Sequence, residues 1–426
     1  MADQMQWTNA LSTRPSLEAA INDVVEQAVA SLTVPAHLGL VFISSAFMSE
    51  YPRMLPLLAE KLSVPILIGC SAGGVIGRNQ TGETEEIEAE PALSLTLAHL
   101  PGVEIQPFHV VAEELPDSDS SPTAWIDLIG VPPSPVPQFI LLSSPFAGGT
   151  NDLLQGLDFA YPGSVVVGGQ ASSGFMNGRV GLFCNDTLYR EGTVGIALSG
   201  NIVLDTIVAQ GCRPIGEPLQ VTKAERNIIL ELDEKVPLMV LRSLINNLSE
   251  EDRTLAQHSL FVGLAMDEFR LNLHSGDFLI RNILGVDPNA GAIAIGDRIR
   301  AGQRLQFHLR DAEASSQDLE ILLQEYQNEN IGEPSPVGAL MFTCLGRGTG
   351  LYGKPNFDSQ LFSRYIQDIP MGGFFCGGEI GPVSGRTFFH GYTSVFAICR
   401  SVREQGTGNR EQGTGNREQG TGNREQ

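Results

Sequence analysis

Lysine is nearly absent from this 426-residue chain: Lys61, Lys223, Lys235 and Lys354 are all there is. With 27 basic against 49 acidic side chains the formal net charge is −22, and no basic cluster stands anywhere. Such a surface repels phosphate backbones and anionic lipid, so no nucleic-acid or membrane partner is expected. The six cysteines (Cys70, Cys184, Cys212, Cys344, Cys376, Cys399) lie far apart, without a C-x-x-C pair. That spacing speaks against a zinc centre or a disulfide framework and fits reduced thiols in the cytoplasm. Metal-ligand spacing is missing too: the histidines are scattered, and His99, His109, His258, His274 and His308 are expected at strand ends or on surfaces. No apolar run reaches the roughly 18 residues of a membrane span. Met1-Ala-Asp-Gln4 lacks the basic start and apolar block of a signal peptide. No metal and no cofactor is expected.

Glycine is abundant, at 47 residues, and 42% of the chain is hydrophobic, enough to bury a core in each of two or three domains. Ser16 caps a predicted amphipathic helix that turns Leu17, Ile21, Val24, Val25 and Ala28 to one face. A second predicted helix, 315–329, is capped by Ser315 with Leu319, Leu322, Leu323 and Tyr326 inward. From Arg403 the heptad Arg-Glu-Gln-Gly-Thr-Gly-Asn repeats with no apolar position, which predicts a disordered tail.

Three segments resemble one another. Leu38-Gly-Leu-Val-Phe-Ile-Ser-Ser leads through a helix-like 50–62 to Pro65-Ile-Leu-Ile-Gly-Cys-Ser-Ala-Gly-Gly-Val-Ile-Gly77. Gln138-Phe-Ile-Leu-Leu-Ser-Ser leads through 150–160 to Ser164-Val-Val-Val-Gly-Gly-Gln-Ala-Ser-Ser-Gly174. Gly338-Ala-Leu-Met-Phe-Thr-Cys leads through a helix capped by Asp358 to Ile369-Pro-Met-Gly-Gly-Phe-Phe-Cys-Gly-Gly-Glu-Ile-Gly381. Strand, helix, strand and glycine turn in each unit suggest parallel strands joined by crossovers. The strand-rich stretches 92–110, 193–210, 278–309 and 386–400 read as antiparallel hairpins. The fold class expected is α/β, in the mixed α+β sense: two related domains with large mixed sheets covered by helices. The divisions are an N-terminal helix at 1–35, domains at 36–222 and 223–400, and the tail at 401–426.

Gly69-Cys-Ser-Ala-Gly73 has the G-x-S-x-G form of a nucleophile elbow, but the glycine-rich 74–82 that follows is a poor helix. Ser71 is therefore read as part of a tight strand-end turn. Cys376 with Glu379 and His390 could form a cysteine nucleophile if they met; the plainer reading is a small buried thiol. The loop 345–353 offers backbone N–H groups and Arg347 to an anion, although Arg347 could instead pair with Glu379 across the sheet rim. Glu83–Glu90 reads as a solvated acidic hairpin or loop rather than a calcium site.

Phe342-Thr-Cys-Leu-Gly-Arg-Gly348, Leu351-Tyr-Gly, Asn356-Phe-Asp-Ser359, Gly372–Pro382 and His390-Gly-Tyr-Thr-Ser394 resemble the FIST C-terminal domain. Asp297-Arg-Ile-Arg-Ala-Gly-Gln and His308-Leu-Arg-Asp-Ala312 extend the likeness upstream. Ile68-Gly-Cys-Ser-Ala-Gly-Gly with Val167-Gly-Gly is similar to the FIST N-terminal domain, though Gly74-Val-Ile stands where members often have Gly-Glu-Ile. The resemblance implies a sensory or signal-transduction module that binds small ligands such as amino acids. Relatives join it to kinase, cyclase, chemoreceptor or F-box parts; none of these is visible here, so a separate signalling protein is the expected partner. The pooled glycine turns are the expected ligand site, built from Cys70, Ser71, Gly169, Ser172, Arg347, Asn356, Asp358, Cys376, Glu379, His390 and Tyr392. An enzyme using Cys376 or Ser71, and a pure interaction scaffold, are the competing readings.

Overall fold

The computed structural model describes residues 4–403 apart from 118, 174–178, 268–269, 271–272 and 274. The tail from 404 onward and His274 lie outside the described residues. The protein is mixed α and β, with helices laid over its sheets.

Each repeated segment forms the unit its sequence demands. The strands Leu38–Ser44, Gln138–Ser143 and Gly338–Cys344 are apolar runs buried along nearly their whole length. The helices Tyr51–Ala59, Thr150–Ala160 and Phe357–Tyr365 follow, and the chain returns in Ile66–Ala72, Val166–Gln170 and Met371–Cys376, each parallel to its partner. A strand that is apolar on both faces needs cover on both. Helices cover the outer face of each sheet. The inner faces of all three sheets share one core, where Phe42 and Phe374 stack at 4.9 Å.

Glycine is required where the parallel strands approach. Gly69, Gly168 and Gly373 pair with Val41, Leu141 and Met341. A Cβ at these glycines would stand 2.0, 1.9 and 2.0 Å from the partner's carbonyl oxygen.

The strand order is the same in every sheet. The first runs Gln6–Ser12, Leu93–His99, Leu38–Ser44, Ile66–Ala72, Leu182–Cys184, Thr187–Tyr189. The second runs Val103–Val110, Thr193–Gly200, Gln138–Ser143, Val166–Gln170, Glu379–Val383, Arg386–His390. The third runs Val203–Ala209, Ser394–Arg400, Gly338–Cys344, Met371–Cys376, Gly74–Arg78, Thr84–Glu88. The last two strands of each sheet are a hairpin lent by another segment. The first segment lends to the third sheet, the third to the second, and the second to the first. The exchange is cyclic.

Into the third segment, between Val203–Ala209 and the helix Ala312–Glu329, is inserted a closed six-stranded barrel. It runs from Arg213–Glu225 to Arg304–Leu309 and is filled by Val221, Ile229, Val262, Ile293, Leu305 and Phe307. Position 222, the expected domain division, falls inside its first strand.

Some local expectations change. Of the four stretches read as hairpins, 278–309 contains one, Phe278–Val286 with Ile293–Ile295. In 92–110, 193–210 and 386–400 the consecutive strands enter different sheets; the turn residues reverse the chain, but the next strand crosses to a neighbour. Ser16 does cap its helix, accepting the Ala19 N–H. The 312–329 helix begins earlier than expected: Asp311 caps it on Ala314 N–H, and Ser315 lies buried within, donating to Gly211 O at 2.9 Å. Asn356, not Asp358, holds the N-cap position of Phe357–Tyr365.

Candidate functional site

The three glycine turns meet, but they close on one another. Gly73 N–H donates to Ser172 Oγ at 2.9 Å, and that hydroxyl donates to Phe375 O at 2.5 Å. Gln170 N–H reaches Gly378 O at 2.7 Å, and Gly377 N–H returns to Gln170 O at 2.9 Å. Cys70 and Ser71 are fully buried, and Ser71 Oγ accepts the Gly181 N–H at 3.0 Å. Gly169 lies so close to Cys376 Sγ that a Cβ would stand 2.3 Å away. Burial pushes the Cys70 and Cys376 thiols well above their ordinary pKa. These backbone donors are thus occupied, and neither nucleophile candidate is open to solvent.

Arg347 and Asp358 form a second group. Arg347, 0% exposed, gives Nε to Asp358 Oδ2 at 2.7 Å and Nη2 to Oδ1 at 3.0 Å. Tyr352 OH bridges the pair, 2.6 Å from Nη2 and 2.8 Å from Oδ1. Arg347 therefore pairs with Asp358 rather than with Glu379, and only its Nη1 stays without a partner. The hairpin lent by the first segment grips this group. Asn356 Oδ1 accepts Glu86 N–H at 2.7 Å, Glu86 Oε1 accepts Ser359 N–H at 2.8 Å, and Glu88 Oε1 accepts Thr349 N–H at 2.8 Å. Glu86 is 3% exposed, so the acidic stretch 83–90 is not solvated throughout.

A third group lies where the barrel meets the third sheet. Alternation along Arg304–Leu309 turns Leu305, Phe307 and Leu309 into the barrel, which sends Gln306, His308 and, one step beyond the strand, Arg310 to the other side. Arg310 is 6% exposed, sits 4.8 Å over the Tyr392 ring and donates from Nη2 to Gly346 O. Its Nε has no partner, and no carboxylate among the described residues forms an ion pair with it. Tyr392, held with φ +63°, stands edge-on to Phe261 at 4.6 Å. Glu379 is fully buried: Oε2 accepts Thr393 N–H at 3.1 Å and Oε1 accepts nothing. The charges of Arg347 and Arg310 reach it, and the Cys344 thiol lies beside it. His390 faces Glu379 across the hairpin and donates from Nε2 to Gly381 O at 3.0 Å. Partly exposed Cys344 and exposed Gly346 bring solvent to this corner. In the sister turns Val75 and Leu182 take the place of Glu379, as the pairings of Ile76, Phe183 and Ile380 with Gly373, Gly69 and Gly168 establish. Among these three positions the ionisable group belongs to the third unit alone.

Burial pushes the Glu379 carboxyl up to about 8, and burial with Asp358 nearby pushes Glu86 up to about 7. Burial also pulls His308 and His390 down to about 4; His308 is fully enclosed, not at a surface. A carboxyl held above its ordinary 4.5 carries more proton folded than unfolded, so stability falls as pH rises from 4.5 towards the folded value. A histidine held below its ordinary 6.5 does the reverse from about 4 to 6.5. The two pairs oppose each other below pH 6.5; above it the carboxyls act alone. Urea midpoints should be nearly level from pH 5 to 6.5 and then fall towards pH 8, by on the order of 1 kcal/mol per unit. Glu379→Gln should remove most of the fall between 7 and 8. A rise over that range would contradict the assignment.

Arg310, Glu86 and Glu88 were not among the residues singled out from the sequence. Glu86 and Glu88 reach the site only because a hairpin is exchanged, and Arg310 only because the barrel folds back. The one available signal was Arg310's place in the His308–Ala312 motif.

Fold and site together set out three sheets around a shared core with an inserted barrel, and at their junction a buried Arg310 without an ion pair beside a buried Glu379. The FIST N domain matches residues 37–235 and the FIST C domain residues 237–382, so the chain belongs to the FIST family. FIST domains are signal-transduction sensory modules, not a known enzyme family. The chain is 34% identical over 391 residues to the uncharacterized protein Rv0628c of Mycobacterium tuberculosis, covering 91% of this chain and 98% of the relative. It is 33% identical over 388 residues to the uncharacterized protein Mb0898c of Mycobacterium bovis, covering 91% and 96%. It is 22% identical over 459 residues to an F-box/LRR-repeat protein of Arabidopsis thaliana, covering 92% and 84%. Among the described residues no helix is long and apolar enough to cross a membrane.

Proposed function

We propose that this chain senses a small carboxylate-bearing metabolite, an amino acid in the first instance, bound between Arg310 and Glu379. The observation that carries this is Arg310. A guanidinium taken out of water without a counter-ion is costly, and a bound carboxylate would neutralise it through the open Nε–H and the second hydrogen of Nη2. Glu379 Oε1 then faces a ligand donor. Tyr392, Cys344 and His390 border the bound molecule, while Arg347 and Asp358 hold the 345–353 loop in place. The signal passes to a separate protein, and six free cysteines suit a cytoplasmic setting. The reading is of a binding protein rather than an enzyme, since Ser71 and Cys376 are fully enclosed and burial pushes the Cys376 thiol well above its ordinary range.

The test is a thermal-shift screen of the twenty L-amino acids and their des-amino analogues, followed by titration calorimetry. Loss of a charge-assisted contact worth roughly 1.5–3 kcal/mol should weaken binding about 10- to 100-fold in Arg310→Gln. A binder whose affinity stays within twofold in that variant would move the site elsewhere.

A further inference from the structure

Glu379 sits in an enclosure that decides its protonation. The groups facing it come from every neighbouring element. Cys344 and Arg347 belong to the end of the Gly338–Cys344 strand and its loop, and Arg310 to the end of the barrel. Cys376 comes from the preceding strand, His390 from the opposite arm of its own hairpin, and the Thr393 N–H from the turn beyond. Arg347 is already neutralised by Asp358, and Arg310 makes no ion pair with Glu379. His390, enclosed and donating to Gly381 O, is neutral. One carboxyl oxygen accepts a single backbone N–H, the other has no N–H or O–H donor, and only the Cys344 thiol, a weak donor, stands beside the group. An ion so placed would be desolvated with no ion pair of its own, and burial outweighs the pull of the two arginines, so before a ligand binds the neutral acid is favoured.

We propose that a ligand amine takes the place of the Glu379 proton, so that filling the site releases one proton to solvent. The inference rests on the reading of Arg310 and Glu379 as the two ends of the ligand site. The O–H bond of the carboxylic acid breaks, its electron pair stays on oxygen and the proton passes to water. The ligand ammonium keeps its own protons and hydrogen-bonds the new carboxylate. Its carboxylate meanwhile lies on Arg310. Ligand identity is thereby read twice: a des-amino acid can satisfy Arg310 but cannot pair with an ionised Glu379, and leaves the proton where it is.

The proton count is the measurement. An L-amino acid that binds the full chain is titrated at pH 7 in two buffers of different ionisation enthalpy, beside its des-amino analogue. The expected result is close to one proton released for the amino acid and none for the analogue. The amino acid's affinity should also rise with pH below 8 by up to about tenfold per unit. Glu379→Gln should bind without proton release; if that variant does not fold, the pH dependence of the wild-type chain answers the question by itself. An amino acid that binds without releasing a proton, or an analogue that binds as tightly, overturns the coupling and leaves the site standing. Failure of every amino acid and analogue to bind removes the site, and the coupling with it.

Discussion

Asp358→Ala should destabilise the protein by about 3–5 kcal/mol, the usual cost of leaving one member of a buried ion pair without the other. Both side chains are enclosed, at 0% and 1% exposure. Removing the carboxylate strands a guanidinium that already has one nitrogen without a partner, and also takes a hydrogen bond from Tyr352. The loss should appear as a lower urea midpoint with an unchanged slope. Arg347→Met combined with Asp358→Leu should recover much of it, because apolar groups of similar volume need no counter-charge. The partly exposed pair Arg213–Asp252 is the control, where Asp252→Ala should cost no more than about 1 kcal/mol. A similar loss at both positions would mean that enclosure of the Arg347 pair contributes nothing.

Gly373→Ala should be as damaging, for a reason that has nothing to do with charge. The added methyl would stand 2.0 Å from the carbonyl oxygen of Met341, and both strands are pinned in a six-stranded sheet. Neither backbone can yield alone, so overpacking should cost at least about 3 kcal/mol. Gly69→Ala and Gly168→Ala should match it, since their distances are 2.0 and 1.9 Å. Gly350, with open space around it and no left-handed backbone angle, should accept alanine almost freely. Chemical denaturation of the four variants tests the set; a mild effect at any of the first three would mean that the parallel strands can separate there.

The local units were legible because each is written in adjacent residues. Val41 and Gly69, or Met341 and Gly373, are near enough in sequence for strand, helix and glycine to be counted off. The internal repeat therefore came out as three parallel pairs. Where each hairpin goes was not legible: nothing in Gly74–Arg78 names Met371–Cys376 as its neighbour, and turn residues specify a reversal without specifying a sheet. The same limit governed the site. Glu379, His390 and Tyr392 stand out in the sequence because they crowd one glycine turn. Arg347 reads as an anion ligand because it stands in a glycine-dense loop, and nothing in the spacing marks Asp358 rather than Glu379 as its partner. Arg310 follows a strand whose alternation is plain, but its solitude becomes visible only once every acid around it has been placed.

The cyclic loan of hairpins sets a timetable for synthesis. Gly74–Arg78 leaves the ribosome early, yet its partner Met371–Cys376 is made roughly 300 residues later, about 15–60 s at ordinary elongation rates. The second sheet waits likewise for Glu379–Val383. Only the first sheet has all its strands before the barrel is begun. For most of translation, then, the nascent chain carries open strand edges that no later adjustment of its own earlier parts can cover, and the ring closes only as its last segment arrives. A ribosome that stalls within the barrel leaves behind a chain whose exposed hairpin is a ready template for aggregation. Until residue 371 is made, those edges have to be kept from pairing with any other chain.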